Sequence, residues 1–362
     1  ILAAFVNGLS LILIAVWIVI EAAQRFYSPT EVMATPMIVI ATLGLLVNVI
    51  VFKVLSGGDH ENLNLKGAMI HVLGDLLGSV AAIAAALLIM FFGWYVVAGT
   101  FLSQMVVIGF FTYSVSLLVP LVREAFGVTM AQVMYSLMAG TFSGMILMPV
   151  AGVMFDRYPA RWIMSGGALL LAAGLWGMAS TSNVSQFIVV FGVTMAIANS
   201  FAGSLASQTT ISRWFTVSRG RALGVAAIGT SVGGIAIPAL MSLWIASSGW
   251  RGSLENLSLA VLLVLLPILI LTIRGKPSDI GQLPEASGAE ASASANMPEL
   301  KLADIVRQPG YWYIGLALGS LFSVYSAILA NLISYASGLG ASAAQASSLI
   351  MTVAVTGLVG KL

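Results

Sequence analysis

The chain has 362 residues, enough for two or three soluble domains by length alone. Composition removes that reading: 8% of residues are charged, 59% are hydrophobic and the mean hydropathy is +1.03, whereas a soluble protein carries about 25% charge. Such a chain cannot clothe a surface facing water, so its outer surface faces lipid and it is read as an integral membrane protein. Fifteen Lys and Arg against thirteen Asp and Glu leave a net charge of +2, too small an imbalance for a nucleic-acid partner. The absence of cysteine excludes disulfides, thiolate metal sites and cysteine nucleophiles. Both ends, Ile1 and Leu362, fall inside apolar runs, and the expectation is that both are cut ends with no signal peptide.

A helix needs about 20 apolar residues to cross the hydrocarbon, and membrane strands would need an alternation that these runs lack. About eleven runs qualify, at 1–20, 35–55, 68–92, 95–121, 130–155, 161–180, 184–212, 219–246, 257–274, 311–336 and 341–362. The expected fold class is therefore all-α, a polytopic transmembrane helix bundle. Most links are short and hold Pro, Gly, Asn and charge. The segment 275–310 is long and rich in Ala, Ser, Glu and Pro, which reads as an aqueous linker ending in a short amphipathic helix. From residue 95 onward, Arg157, Arg161, Arg213, Arg219, Arg221, Arg274, Lys276, Lys301 and Arg307 fall in loops on one face, and Arg123 and Arg251 fall on the other. Since Lys and Arg mark the cytoplasmic side, the helix at 95 is expected to start in the cytoplasm.

The third run contains HVLGDLLGS. His71 and Asp75 are four apart, so they share a helix face and can bind one divalent cation through imidazole nitrogen and carboxylate oxygen. A buried hydrogen-bonded pair is the alternative, and spacing alone leaves both open. The surrounding text, LAAFVNGLSLILIAVWIVIEAAQRFYSP, GLLVNVIVFKVL and ENLNLKGAMIHVLGDLLGSVAAIAAALLI, resembles the cation diffusion facilitator family, especially its zinc-exporting branch, over residues 1–94. The resemblance implies helices three to five of a six-helix fold, with His71 and Asp75 as half of a tetrahedral Zn²⁺ site whose other half lies on a helix that this chain lacks. His60, in GGDHENLN, is read as a solvated loop residue.

The loop after the fifth run reads GVMFDRYPAR. Its acid and bases form a charge cluster that can hold a facing helix end and break when helices rock, or can serve as positive-inside anchoring alone. Residues 95–362 resemble the major facilitator superfamily, and within it the oxalate/formate antiporter and monocarboxylate transporter relatives. The motifs that carry this are GVMFDRYPAR, SRWFTVSRGRALGVAAIGTSVGG, GKPSDIGQLPE and LADIVRQPGYWYIGLALGSL. The resemblance places Gly152, Asp156, Arg157 and Arg161 in the gating loop between helices two and three, with Pro159 and Ala160 departing from the usual Gly and basic residue. On the run 219–246, Gly220, Gly229, Gly233 and Gly234 form a ridge without side chains that lets another helix approach closely. Its spacing resembles the antiporter glycine motif, except that Gly234 stands where that motif has Pro.

In this superfamily helices one, four and seven line the central cavity. The matching runs carry Thr112, Tyr113, Ser114 and Ser116, then Asn199, Ser200, Ser204, Ser207 and Gln208, then Ser320, Ser323, Asn331 and Ser334. The later two sets recur at three or four residues, so each can form a polar stripe facing solute or act as interhelical glue. Lys361 is read either as a carboxylate-binding base or as a cytoplasmic anchor.

The expected organisation is a three-helix piece at 1–94, a six-helix bundle at 95–274, a linker at 275–310 and two helices of a second half at 311–362. That is an incomplete major facilitator fold with an appendage, joined near Trp94 and Tyr95. The leading function is secondary transport of small organic anions by alternating access, in a bacterial inner membrane. Proton-coupled Zn²⁺ export and a fusion that transports nothing are the alternatives. No enzyme activity and no cofactor are expected, since no set of nucleophile, base and orienting group and no phosphate loop is found. The expected partners are the bilayer and the solute. Solute, coupling ion and oligomeric state are not specified by the sequence.

Overall fold

The structure is a computed structural model and describes residues 34–57, 63–280, 282, 306–340 and 343–359, with seven positions between 13 and 24. The run 1–20 in most of its length, His60, most of the linker, the Ser334 side chain and Lys361 lie outside the described residues. Every regular element among the described residues is helical, as all-apolar segments require when no water is available to satisfy backbone groups. By internal contacts the chain divides into two compact units, Ile1–Phe92 with Lys276–Pro284, and Gly93–Gly275 with Glu285–Leu362.

In the first unit α1 (Ala34–Ser56) and α2 (Leu63–Met90) pack along one another. A Cβ on Gly44 would rest 3.7 Å from the Ser79 hydroxyl, an ordinary contact. The second unit contains α3 (Phe92–Phe126), α4 (Met130–Arg157), α5 (Ala160–Ala179), α6 (Val184–Phe201), α7 (Ser204–Trp214), α8 (Arg219–Ala260), α9 (Leu266–Thr272), α10 (Pro309–Gly338) and α11 (Ala343–Val359). Helix α4 packs chiefly on α6, α5 on α6 and α8, and α8 on the middle of α3 and on α11.

The helix ends follow from local chemistry. Gly127 takes the left-handed conformation (φ 63°), and its N–H with that of Val128 donates to Glu124 O (3.3 Å) and Arg123 O (3.1 Å), the Schellman pairing that closes α3. Thr129 and Gln132 form a reciprocal capping box at the start of α4, and Asn183 accepts from the Gln186 N–H at 2.9 Å at the start of α6.

Three departures from the expected elements have identifiable causes. The runs 219–246 and 257–274 are joined without the expected loop: the helical stretch Arg219–Thr272 has 54 residues, which would span about 80 Å if straight, more than twice the apolar slab. It reverses at Gly249 (φ 71°, ψ 178°), a backbone conformation open essentially to glycine only, so the stretch makes two crossings. The run 184–212 is two helices, α6 and α7, broken at Ala202–Gly203. Helix α3 widens to a π-turn at Gly109–Ser114, against α8; such turns are frequent at functional positions.

The arginines sort to two ends of the second unit. At one end lie Asp156, Arg213, and Trp214, whose indole N–H donates to Arg274 O at 2.8 Å. At the other, Arg251 lies 4.2 Å from the Trp250 ring centroid and donates to Ala179 O (3.0 Å) and Thr181 O (2.9 Å). Arg251 therefore supplies donors to the last carbonyl of α5 and to that of Thr181 just beyond it. Helices α3 and the first arm of α8 run parallel, since Phe101 faces Gly229 and Met105 faces Gly233. This is the alternation that the charged loops imply.

Candidate functional site

The glycines of α8 are where backbones meet. A Cβ on Gly229 would lie 2.4 Å from Phe101 O and one on Gly233 2.2 Å from Met105 O, so α3 lies directly on this ridge. Gly109 of α3 completes the seam, with its Cβ position 2.7 Å from Gly233 O. Gly234 faces elsewhere, toward Ala354 of α11 and the Tyr113 ring. Gly220 has nothing within 4 Å of a Cβ and takes no part in the seam.

Below this seam a polar centre forms where α6 gives way to α7. The Gln104 side chain, almost fully buried, donates to Ala226 O at 3.2 Å and accepts from the Ser204 hydroxyl at 3.3 Å. Ser103 donates to Ala202 O at 2.5 Å, which takes up a carbonyl at the helix break. Gln104 and Gln208 line a cavity of about 280 Å³ with Ile211, Leu223, Gly224 and Ala227. Its lining is apolar apart from two amides, and the residues that α7 contributes, Gln208 and Ile211, lie four and seven positions past its first residue, Ser204.

Of the expected cavity residues, Gln208 lies here. Asn199 is half-buried just before the break, and Ser200 and Ser207 are fully buried, Ser207 bonded to Gly203 O at 3.0 Å. The continuous polar stripe expected on run 184–212 is thus broken, because the α6–α7 interruption changes the helical phase. Tyr113 is buried, and its hydroxyl meets that of Tyr325 at 2.9 Å within a cluster of Leu329, Ile350 and Ala354. Ser323 and Asn331 are exposed, and Asn331 donates to Ala327 O of its own helix at 2.9 Å. A second cavity, about 140 Å³, is lined by Thr112 and Ser116 of α3, Thr141 of α4 and Ser326 of α10.

At the basic end, Arg213 forms an ion pair with Asp156 (3.0 Å) and donates to Phe155 O (2.9 Å). An acid in the last turn of a helix opposes the helix dipole, and Arg213 offsets this while serving the α4 carbonyls. Gly152 has nothing within 4 Å of its Cβ position, Arg157 is exposed, and Arg161 stacks 5.0 Å from the Trp162 ring centroid. The loop motif is thus held through Asp156 alone among its predicted members.

In the first unit, His71 Nε2 and Asp75 Oδ2 are 3.7 Å apart on α2, with side chains 64% and 47% exposed. The expected alternative of a buried pair is therefore not what is seen. Asp75 lines an open groove of about 590 Å³ with Asn48 of α1. No three His, Cys, Asp or Glu side chains gather into a metal-binding group among the described residues. A closed tetrahedral zinc site needs four ligands, so one copy of the pair does not fit a complete site.

Sequence reasoning missed Gln104, Gly109 and the Tyr113–Tyr325 contact, and placed Arg251 in a loop without its role at the end of α5. Gln104 is the one Gln or Asn of the stretch 92–126, which was a usable signal; the others depend on which helices meet.

Comparison with known families gives two matches, which overlap over residues 100–130. The Cation efflux transmembrane domain matches residues 1–130, and the Major Facilitator Superfamily matches residues 100–362. In its N-terminal part the chain is 53% identical over 96 residues to the cadmium, cobalt and zinc/H(+)-K(+) antiporter of Bacillus subtilis, covering 26% of this chain and 31% of that protein. It is 54% identical over 94 residues to the zinc transporter ZitB of Pectobacterium atrosepticum, covering 26% and 29%. It is 48% identical over 94 residues to the metal cation efflux system protein CzcD of Cupriavidus metallidurans, covering 26% and 30%. The chain spans about three tenths of the length of these curated relatives. It is an integral, multi-pass membrane transporter protein by its apolar helices and its family matches. With a match over nearly three quarters of its length, the chain belongs to the Major Facilitator Superfamily.

Proposed function

We propose that the second unit carries a small organic anion, of the monocarboxylate or oxalate/formate kind, across a bacterial inner membrane by alternating access. The observation that carries this reading is the polar centre at the helix break. Gln104 and Gln208 present amide groups to a cavity of about 280 Å³, and the Ser204 hydroxyl at the start of α7 holds the Gln104 amide by donating to its oxygen. Uncharged amides bind a carboxylate loosely enough to release it, which a carrier requires. The glycine seam allows α3 and α8 to slide, and the Asp156–Arg213 pair is a contact that can open and close with that movement.

The test is uptake of radiolabelled oxalate, formate and lactate into proteoliposomes containing the purified chain. At least one should be carried above the level of empty liposomes, and Gln104→Leu should raise the KM for it. Uptake of none of the three, from protein shown to be folded and inserted, would overturn the reading.

Divalent cation export is the second reading. It is favoured by the His71–Asp75 pair and by N-terminal similarity to proteins named as zinc and cadmium transporters.

A further inference from the structure

Among the described residues three buried side-chain polar atoms have no hydrogen-bond partner: Arg161 Nε, Ser165 Oγ and Ser200 Oγ. Such atoms are uncommon in folded chains, and each calls for a group that the chain itself does not supply. Two of the three stand together. Arg161 and Ser165 are four residues apart on α5, so they share one flank a single turn apart. Ser165 is 5% exposed, and a helical side chain leans toward the start of its helix, here the turn that holds Arg161. That turn is itself short of acceptors, since its N-cap is Pro159 and no side chain caps it.

The surroundings are basic and lie at a membrane boundary. Arg157, Arg161, Arg213, Arg219, Arg221 and Arg274 stand at helix ends on this side of the unit, and the acid among them, Asp156, is engaged by Arg213. Trp162 is 62% exposed, as interfacial aromatic residues are, and Arg161 stacks 5.0 Å from its ring centroid. On the same face as Trp162, Leu169 and Leu170 are half-exposed, and Gly166 between them has nothing within 4 Å of a Cβ position. An apolar strip thus runs from the basic corner down the outer side of α5.

We propose that this corner binds an anionic phospholipid, with Arg161 holding the phosphodiester and Ser165 donating to an ester carbonyl of the glycerol backbone. One helical turn separates the two residues by about 5.4 Å along α5, and the ester carbonyls of a phospholipid lie deeper in the membrane than its phosphate. The guanidinium and the uncapped N–H groups are donors only, so the ligand atom must be an acceptor, and a phosphodiester oxygen brings the negative charge that this corner lacks. Both orphan atoms are shut off from water, so binding includes a swing of the Arg161 side chain off Trp162 that carries Nε to the headgroup level and opens the turn behind it. Lipid is selected over a soluble phosphate because the strip of Gly166, Leu169 and Leu170 adjoins the site: acyl chains lie along it, whereas a free anion gains nothing there. An anionic headgroup is selected over a zwitterionic one because the latter adds a cation beside the arginines.

The experiment uses the full chain in detergent and counts retained lipid by native mass spectrometry, with dioleoyl phosphatidylglycerol as the probe and dioleoyl phosphatidylcholine as its zwitterionic counterpart. The expected result is one tightly held phosphatidylglycerol per chain, preferred over phosphatidylcholine. Arg161→Gln should weaken that binding roughly tenfold or more, and Ser165→Ala roughly two- to tenfold. Arg221→Gln removes an equal charge from the same end and should leave the tight lipid in place. In parallel, phosphatidylglycerol should raise the melting temperature of the wild type more than phosphatidylcholine does, and that difference should vanish in Arg161→Gln. If Arg161→Gln fails to fold, Arg161→Lys, which keeps the charge and loses the planar fork, serves in its place and should also weaken binding. Equal retention of the two lipids, equal binding by wild type and the Arg161 variant, a loss in Arg221→Gln as large as that at Arg161, or displacement of the lipid by millimolar inorganic phosphate would each overturn the proposal. Anion uptake rests on Gln104 and its cavity, so either reading can fail without the other.

Discussion

The seam between α3 and α8 gives a prediction whose size can be worked from geometry. Replacing Gly233 by Ala places a methyl carbon 2.2 Å from Met105 O and 2.9 Å from Met105 C. Ordinary contact begins at 3.4 Å, so the methyl is about 1.2 Å too close, and what it meets is helix backbone that cannot rotate away. The helices must separate by on the order of 1 Å, at an overpacking cost of about 1–3 kcal/mol. Gly229→Ala should behave alike, since Phe101 O lies 2.4 Å from its Cβ position. Gly220→Ala on the same helix is the internal control, because nothing lies within 4 Å there; replacing glycine by alanine in a helix should leave stability unchanged or raise it by up to about 1 kcal/mol. The assay is thermal unfolding in detergent followed by loss of the monodisperse chromatographic peak, read as differences between variants. Gly233→Ala and Gly229→Ala should melt several degrees below wild type and Gly220→Ala at or above it. Equal melting of all three would refute the close approach.

Other consequences are as direct. Arg251→Ala removes two hydrogen bonds to the end of α5 and a stack on Trp250, and should destabilise the chain by about 1–3 kcal/mol in the same assay. Gly249→Ala forces a Cβ onto a backbone at φ 71°, ψ 178° and should cost about 1–3 kcal/mol. Tyr113→Phe and Tyr325→Phe each break the hydroxyl contact between α3 and α10. Each should cost about 0.5–1.5 kcal/mol, and the double variant should cost clearly less than the sum of the two if the contact is real. Asp156 is 76% exposed, so Asp156→Asn should change stability by less than about 1 kcal/mol. On the gating reading it should nonetheless slow uptake of a solute that the wild type carries, and unaltered uptake would reduce Asp156 to part of the anchoring charge pattern.

Composition determined that this chain lives in a membrane, because 8% charge leaves no other way to cover the surface, and the long apolar runs without alternation determined that it crosses as helices, which satisfy their own backbone. Loop chemistry determined most boundaries, as at Gly127–Thr129 and Tyr158–Pro159, and the basic loops implied the alternating directions seen in α3 and α8. Tertiary structure alone decided which faces meet. Pro36–Ser56 and Phe92–Phe126 are both strongly apolar, yet the shares of their most apolar windows that are buried are 6% and 67%. Lipid tails and a protein core are equally apolar, so in a membrane helix hydrophobic periodicity does not point inward as it does in water. For that reason the glycines at 229 and 233 could be recognised as a ridge, while their partner at Gly109 could not. Gln104 acquires its importance from Ser204, one hundred residues along the chain and brought beside it by packing.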